Sequence, residues 1–107
     1  MIYELRTYTA APGKMDALNR RFGDHTLGLF RRHGIESIGY WVSKPNPDKL
    51  VYIVRFADEA AMKKAWDGFR ADPDWQKVKS ESEVDGVLAA KVESEVLSPT
   101  AYSMFLR

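Results

Sequence analysis

The chain contains no cysteine. That absence removes a disulfide framework, thiolate metal sites and a cysteine nucleophile together. No run approaches the ~20 consecutive apolar residues of a membrane-spanning helix. Met1 leads straight into a β-prone segment, with neither a charged nor an apolar leader ahead of it. An excess of either charge is also missing: 16 Lys and Arg stand against 15 Asp and Glu, for a formal charge of +1. Such balance argues against a dedicated nucleic-acid surface and a polybasic membrane anchor. There is no HExxH, GxGxxG, Walker or nucleophile-elbow signature. The two histidines, His25 and His33, are eight residues apart. On a helix that separation is about 12 Å at ~1.5 Å per residue, too far for the two to share one ion. No metal and no cofactor are expected, and a soluble cytoplasmic protein is the default.

What is present fits one globular domain spanning residues 1–107, with 45% hydrophobic and 12% aromatic residues, enough to bury a core without crosslinks. Ile2–Ala10 reads as a strand, its alternation placing Glu4, Arg6 and Tyr8 on one face and Tyr3, Leu5, Thr7 and Thr9 on the other. Pro12–Arg32 reads as one helix, with Met15, Leu18, Phe22, Thr26, Leu29 and His33 forming its apolar stripe and His25 at the edge of that stripe. Gly34 is a C-terminal stop. Ile35–Ser43 and Leu50–Phe56 read as a hairpin around the turn Lys44-Pro45-Asn46-Pro47-Asp48, with Gly39 marking a bulge or a close backbone approach.

Asp58 is placed to cap a second helix that buries Met62, Ala65, Trp66 and Phe69. Asp72-Pro73 breaks it, Pro73–Val78 forms a further short helix, and Ser80–Asp85 is irregular or helical. Leu88–Leu97 alternates again, with Val92, Ser94 and Val96 opposite a charged, wet face of Lys91, Glu93 and Glu95. The element order is β-α-β-β-α-β. It predicts an α+β, ferredoxin-like fold: a four-stranded antiparallel sheet with helices on one face. The bare face needs a cover, and a second copy of the same face is the natural one, so a homodimer is expected. Tyr102, Met104, Phe105 and Leu106 have no place in a four-strand core and are expected to lie across the partner.

The run YELRTYT-x-x-PGK from Tyr3, RF-x-x-HT-x-x-LF-x-x-HG at Arg21–Gly34, and GYW at Gly39–Trp41 resemble the NIPSNAP family. So do DPDW at Asp72–Trp75, KVES at Lys91–Ser94, and PT-x-YS at Pro99–Ser103. The resemblance covers nearly the whole chain and implies a dimeric α+β barrel. It also implies kinship of architecture with cofactor-free monooxygenases, haem-degrading enzymes and isomerases, which is analogy of fold and not of chemistry. Small single-domain relatives are typically bacterial. Animal relatives are associated with mitochondria and vesicle handling, a location that the lack of a visible leader does not favour here.

On that basis His25 is the expected acid or base, pointing from the first helix toward a pocket against the sheet. The plainer alternative is a histidine packed at the core edge. His33, near the helix end, suits a capping or packing role. Two readings fit Glu4, Arg6 and Tyr8. In one, Arg6 holds an anion while Glu4 or Tyr8 moves a proton. In the other, the three form a polar cluster inside a barrel built by two chains. Tyr8, Tyr40, Trp41, Trp66 and Trp75 are the expected walls for a small hydrophobic ligand, against the alternative of ordinary core packing. Three function classes follow: an enzyme acting on a hydrophobic, enolisable substrate, a ligand-binding module, and an interaction protein.

Overall fold

The structure, a computed structural model, describes residues 1–104. It contains β1 (Ile2–Ala10), α1 (Met15–Arg21), a π-helical turn (Phe22–Thr26), α2 (Leu27–Arg32), β2 (Glu36–Val42) and β3 (Lys49–Phe56). α3 (Glu59–Ala71), α4 (Pro73–Ser82) and β4 (Ala89–Leu97) complete it. All strand pairs are antiparallel and the sheet order is β2-β3-β1-β4, with the helices on one face. This is the expected α+β, ferredoxin-like arrangement. Among the described residues no helix is long and apolar enough to cross a membrane.

Local chemistry explains the boundaries. Gly13 has φ of 73°, outside helical space, so α1 begins at Met15 and not at Pro12. Gly34, at φ 75°, closes α2. Its N–H donates to Arg31 O and that of Ile35 to Phe30 O, at 3.2 and 2.9 Å, the two bonds of a Schellman cap. Asp58 Oδ1 accepts from the Ala61 N–H at 2.8 Å, as expected of the α3 cap. Asp72 caps α4, accepting from the Asp74 N–H at 2.9 Å with Pro73 in the first turn. α4 runs on to Ser82, absorbing part of the segment read as irregular or helical.

Register decides which face of β1 meets the helices. Glu4 pairs with Val54, Arg6 with Tyr52 and Tyr8 with Leu50. Leu50, Tyr52, Val54 and Phe56 are the buried positions of β3, so Glu4, Arg6 and Tyr8 face the helix layer. The core between the layers is aromatic. Phe30 sits at its centre, with ring centroids 5.0 Å from Phe69, 5.4 Å from Trp66 and 6.1 Å from both Phe22 and Tyr52. Among the described residues no helix lies on the opposite sheet face; it carries Leu5, Thr7, Val51 and Ile53, all half-buried, and Trp41, which is exposed.

Ile38 is bulged out of the β2–β3 register, and Gly39 is also a close approach: a Cβ there would lie 2.6 Å from Trp41 Cη2. On β4 the structure departs from the reading of a single wet face. The strand is exposed on both faces between its end residues, because it lies at the sheet edge and the helix layer stops short of it. Val92 and Val96 are 47% and 45% exposed although they share the helix-side face with Tyr8 and Glu4. Tyr102 and Met104 are exposed, while Phe105 and Leu106 lie outside the described residues.

Candidate functional site

Two charged side chains are buried in the middle of the helix-side face. Arg6 and Glu4 alternate along β1, so their side chains leave the same face two residues apart and meet as an ion pair, Nη1 to Oε2, at 2.8 Å. The other Glu4 oxygen, Oε1, accepts from Trp66 Nε1 at 2.7 Å. Arg6 Nε donates to the Tyr52 hydroxyl at 2.7 Å. Two looser contacts converge on Tyr8: Arg6 Nη2 donates to its oxygen at 3.3 Å, and the Tyr52 hydroxyl donates to it at 3.2 Å. The Trp66 ring lies 4.4 Å from the guanidinium carbon, a cation–π contact.

Burial works against the Arg6 charge, but Tyr52, Tyr8 and Glu4 outweigh it and hold the guanidinium above its ordinary value. Burial pushes the Tyr52 phenol well above its usual range; Tyr8 adds to this and Arg6 opposes it. Tyr52 therefore remains a hydroxyl at neutral pH. Having accepted from Arg6, it passes its own proton toward Tyr8. Tyr8 is half-buried and lies beside Val92 on the exposed edge strand. Its oxygen accepts from both Arg6 and Tyr52, which leaves its own O–H available as a donor.

The family model described as NIPSNAP matches residues 3–104. The chain belongs to the NIPSNAP family. A NIPSNAP family protein of unknown function from Agrobacterium tumefaciens superposes with a TM-score of 0.85 at 25% identity, covering 99% of this chain and 94% of its own. An uncharacterised NIPSNAP domain protein from Burkholderia xenovorans gives 0.83 at 24% identity, over 97% and 99% of the two chains. An antibiotic biosynthesis monooxygenase shares the fold at a TM-score of 0.65 and 14% identity, over 94% and 99%. No match is found among curated protein sequences.

This NIPSNAP chain brings Glu4, Arg6, Tyr8 and Trp66 together, as four of the eight expected site residues. Tyr40 joins them at one remove. Its ring stacks on Tyr52 at 4.9 Å, its hydroxyl bonds Ser37 Oγ at 2.8 Å, and burial raises its phenol above the usual value. Tyr52 links the whole set and was not singled out from the sequence. The signal was present: Tyr52 carries the one polar group on the buried face of LVYIVRF, and a buried phenol needs a partner.

The other three lie elsewhere. His25 is exposed and lines surface grooves between the first helical stretch and α4, one of about 350 Å³ shared with Arg21, Val78 and Ser82. It does not point toward the sheet, and the reason is the π turn. The Leu27 N–H bonds Phe22 O, five residues back, so the chain turns through more residues there and His25 falls behind the phase of a regular helix. The Thr26 hydroxyl, donating to Arg21 O at 3.2 Å, fastens that turn. Trp41, next to Tyr40, necessarily projects from the opposite face of β2. Trp75 packs on Phe69 with centroids 4.6 Å apart and lies under the Arg21 guanidinium at 5.1 Å, as part of the α3–α4 packing. Arg55, on the bare face, pairs with Glu36, its Nε 3.0 Å from Oε2. Among the described residues no group of three or more His, Asp or Glu side chains converges as metal ligands do.

His33 takes the structural role. Its Nε2 lies 2.7 Å from Asp72 Oδ2, which also accepts from Arg32 at 3.0 Å, so the end of α2 is tied to the α3–α4 junction. The hydrogen bond from His33, then that from the Asp74 N–H, lower the Asp72 carboxyl from 3.8 to about 2, with Arg32 helping and burial opposing. A carboxyl depressed by folding adds stability that is complete above its unfolded value and lost as pH falls through its folded one. The Asp72 contribution should therefore disappear between pH 3.8 and about 2. Urea midpoints across that window should fall less steeply for Asp72→Asn than for the native chain; parallel acid limbs would contradict the assignment.

Proposed function

We propose that this NIPSNAP protein is a homodimeric α+β barrel that binds a small hydrophobic molecule at the Tyr8 edge of its helix-side sheet face. The observation that carries the reading is the hydrogen-bond relay from Arg6 through Tyr52 to Tyr8, whose neighbour on β4 is the exposed Val92. A plain core strand has no use for a buried ion pair, which adds little net stability. An oriented phenol beside an apolar ledge suits a ligand with one acceptor oxygen on a hydrophobic frame. The aromatic core already fills the space between helices and sheet within a protomer, which favours the edge next to β4 over a cavity deeper in.

The test is binding of an aryl ketone such as 1-acetonaphthone, followed by amide and indole NMR shifts. Tyr8→Phe removes only the hydroxyl and should weaken binding about tenfold, the size of one good hydrogen bond to a desolvated acceptor. Unchanged affinity, or shifts confined to the bare sheet face, would overturn the reading.

A second reading, a cofactor-free oxygenase or isomerase, is favoured by the same donor. A phenol held toward a carbonyl oxygen can stabilise an enolate forming there. The shared fold with an antibiotic biosynthesis monooxygenase is consistent with it. His25 has no part in either version, since it faces the other way. Mass analysis of an enolisable aryl ketone after aerobic incubation in D2O separates the two readings: ketone with no added oxygen and no deuterium uptake above the protein-free rate supports binding alone, and either change, abolished in Tyr8→Phe, supports catalysis.

The homodimer rests on the sheet's bare face, where Trp41 is 53% exposed. An apolar sheet face without helices is normally covered. Light scattering at micromolar concentration should give twice the 12.2 kDa chain mass, and a single chain mass would refute the dimer.

A further inference from the structure

The geometry points to Glu4 as the residue that sets which ligands the Tyr8 edge accepts: by neutralising Arg6 it selects a neutral acceptor oxygen, as in a ketone, quinone or un-ionised phenol, and disfavours carboxylates. This rests on the reading of the Tyr8 edge as a ligand site. From sequence alone, Arg6 was either an anion holder or part of a structural polar cluster. Burial and pairing work against the first role: each of its three nitrogens already donates to a protein oxygen. Its Nε is taken by Tyr52, Nη1 by Glu4 and Nη2 by Tyr8, and the Trp66 ring covers its flank at 4.4 Å. The Arg6 side chain is 11% exposed and that of Glu4 6%, so both charges are withdrawn from water and each is spent on the other.

Glu4 is held to this task from both sides, with Oε2 on Arg6 and Oε1 on Trp66 Nε1. The Glu4–Arg6 pair is therefore neutral as a whole, and the neutral Tyr8 hydroxyl stands at its end. A ligand carboxylate arriving at the ledge would shed hydration and find no unpaired cation, which is costly. A carbonyl oxygen sheds little and can accept from the neutral Tyr8 hydroxyl. Ser94, beside Arg6 on β4, adds a second neutral hydroxyl to the exposed ledge.

A matched pair of probes decides it: 1-acetonaphthone and 1-naphthoate, which share a ring system and differ in charge. Titrations are followed by the Trp66 indole N–H and the amides of Tyr8, Val92 and Val96. The native protein should bind the ketone at least about tenfold more tightly than the carboxylate. In Glu4→Gln, whose amide oxygen still accepts from Trp66, the gap should close or reverse, because Arg6 then carries an unmatched charge. Equal or tighter naphthoate binding by the native protein overturns the role of Glu4 while leaving the site intact, and this result needs no variant to fold. An unchanged ratio in a folded Glu4→Gln, verified by its Trp66 resonance, overturns it as well. Failure of both probes to move the Tyr8 and Val92 signals overturns the site reading itself, and the Glu4 proposal with it.

Discussion

Arg6→Leu should lower the stability of the folded chain by about 3–5 kcal/mol, the usual cost of removing one member of a buried ion pair. The substitution keeps most of the apolar stem volume. What it takes away is the guanidinium that answers Glu4 Oε2, the Tyr52 hydroxyl and the Tyr8 hydroxyl at once. Glu4 would remain buried on the helix side with only the Trp66 indole for a partner. The cation–π contact with Trp66 would go too. The companion experiment is the double variant Glu4→Gln/Arg6→Leu. If the loss comes from a stranded carboxylate, the double variant should recover a large part of it, a coupling that additive effects cannot produce. Urea unfolding followed by tryptophan fluorescence measures both. A loss below about 1 kcal/mol for Arg6→Leu would place the pair among solvated ion pairs, and the buried, neutral pair would have to be abandoned.

Phe30→Ala should cost about 3–5 kcal/mol for a different reason. Phe30 is 1% exposed and touches four aromatic rings, three from the helix layer and one from the sheet, so no neighbour can slide into the space it leaves. Phe30→Leu fills most of that volume and should cost about 1–2 kcal/mol, reflecting lost edge-to-face contacts and imperfect fit. Thermal unfolding of the two variants gives the comparison. Similar losses from both would mean that the layer collapses around the vacancy. In that case the core would not be the rigid wall that holds Tyr52 and Tyr8 in line.

Much of the fold was legible before any coordinates. Alternation in IYELRTYTA, the Pro-Asn-Pro turn between β2 and β3, the Asp58 cap and the Gly34 stop are local signals, and each reports its own few residues faithfully. Their order implied the ferredoxin-like sheet, since four strands and two helical stretches in that sequence have few other ways to cover one face. The site was legible in part. Glu4, Arg6 and Tyr8 were grouped correctly because a period of two places them on one face.

Local pattern stopped short at three places. The π turn at Phe22–Thr26 shifts the helix phase, and no composition cue in FGDHT separates it from an ordinary helical turn, so His25 was expected on the wrong side. Tyr40 and Trp41 were expected to share one pocket although adjacent strand residues must part to opposite faces. Tyr52 is 46 positions from Arg6 in the chain, and only the β1–β3 register brings the two together.

The feature that dominates the site, a strand face carrying an acid, a base and a phenol, was thus determined by the sequence alone: alternation fixes which side chains travel together. Which way that face turns was decided only by tertiary packing. Period two is symmetric between a sheet's two sides, and packing breaks the symmetry, as where Phe22 meets Tyr8 and where α3 lays Trp66 across Glu4 and Arg6, a contact between residues 62 positions apart.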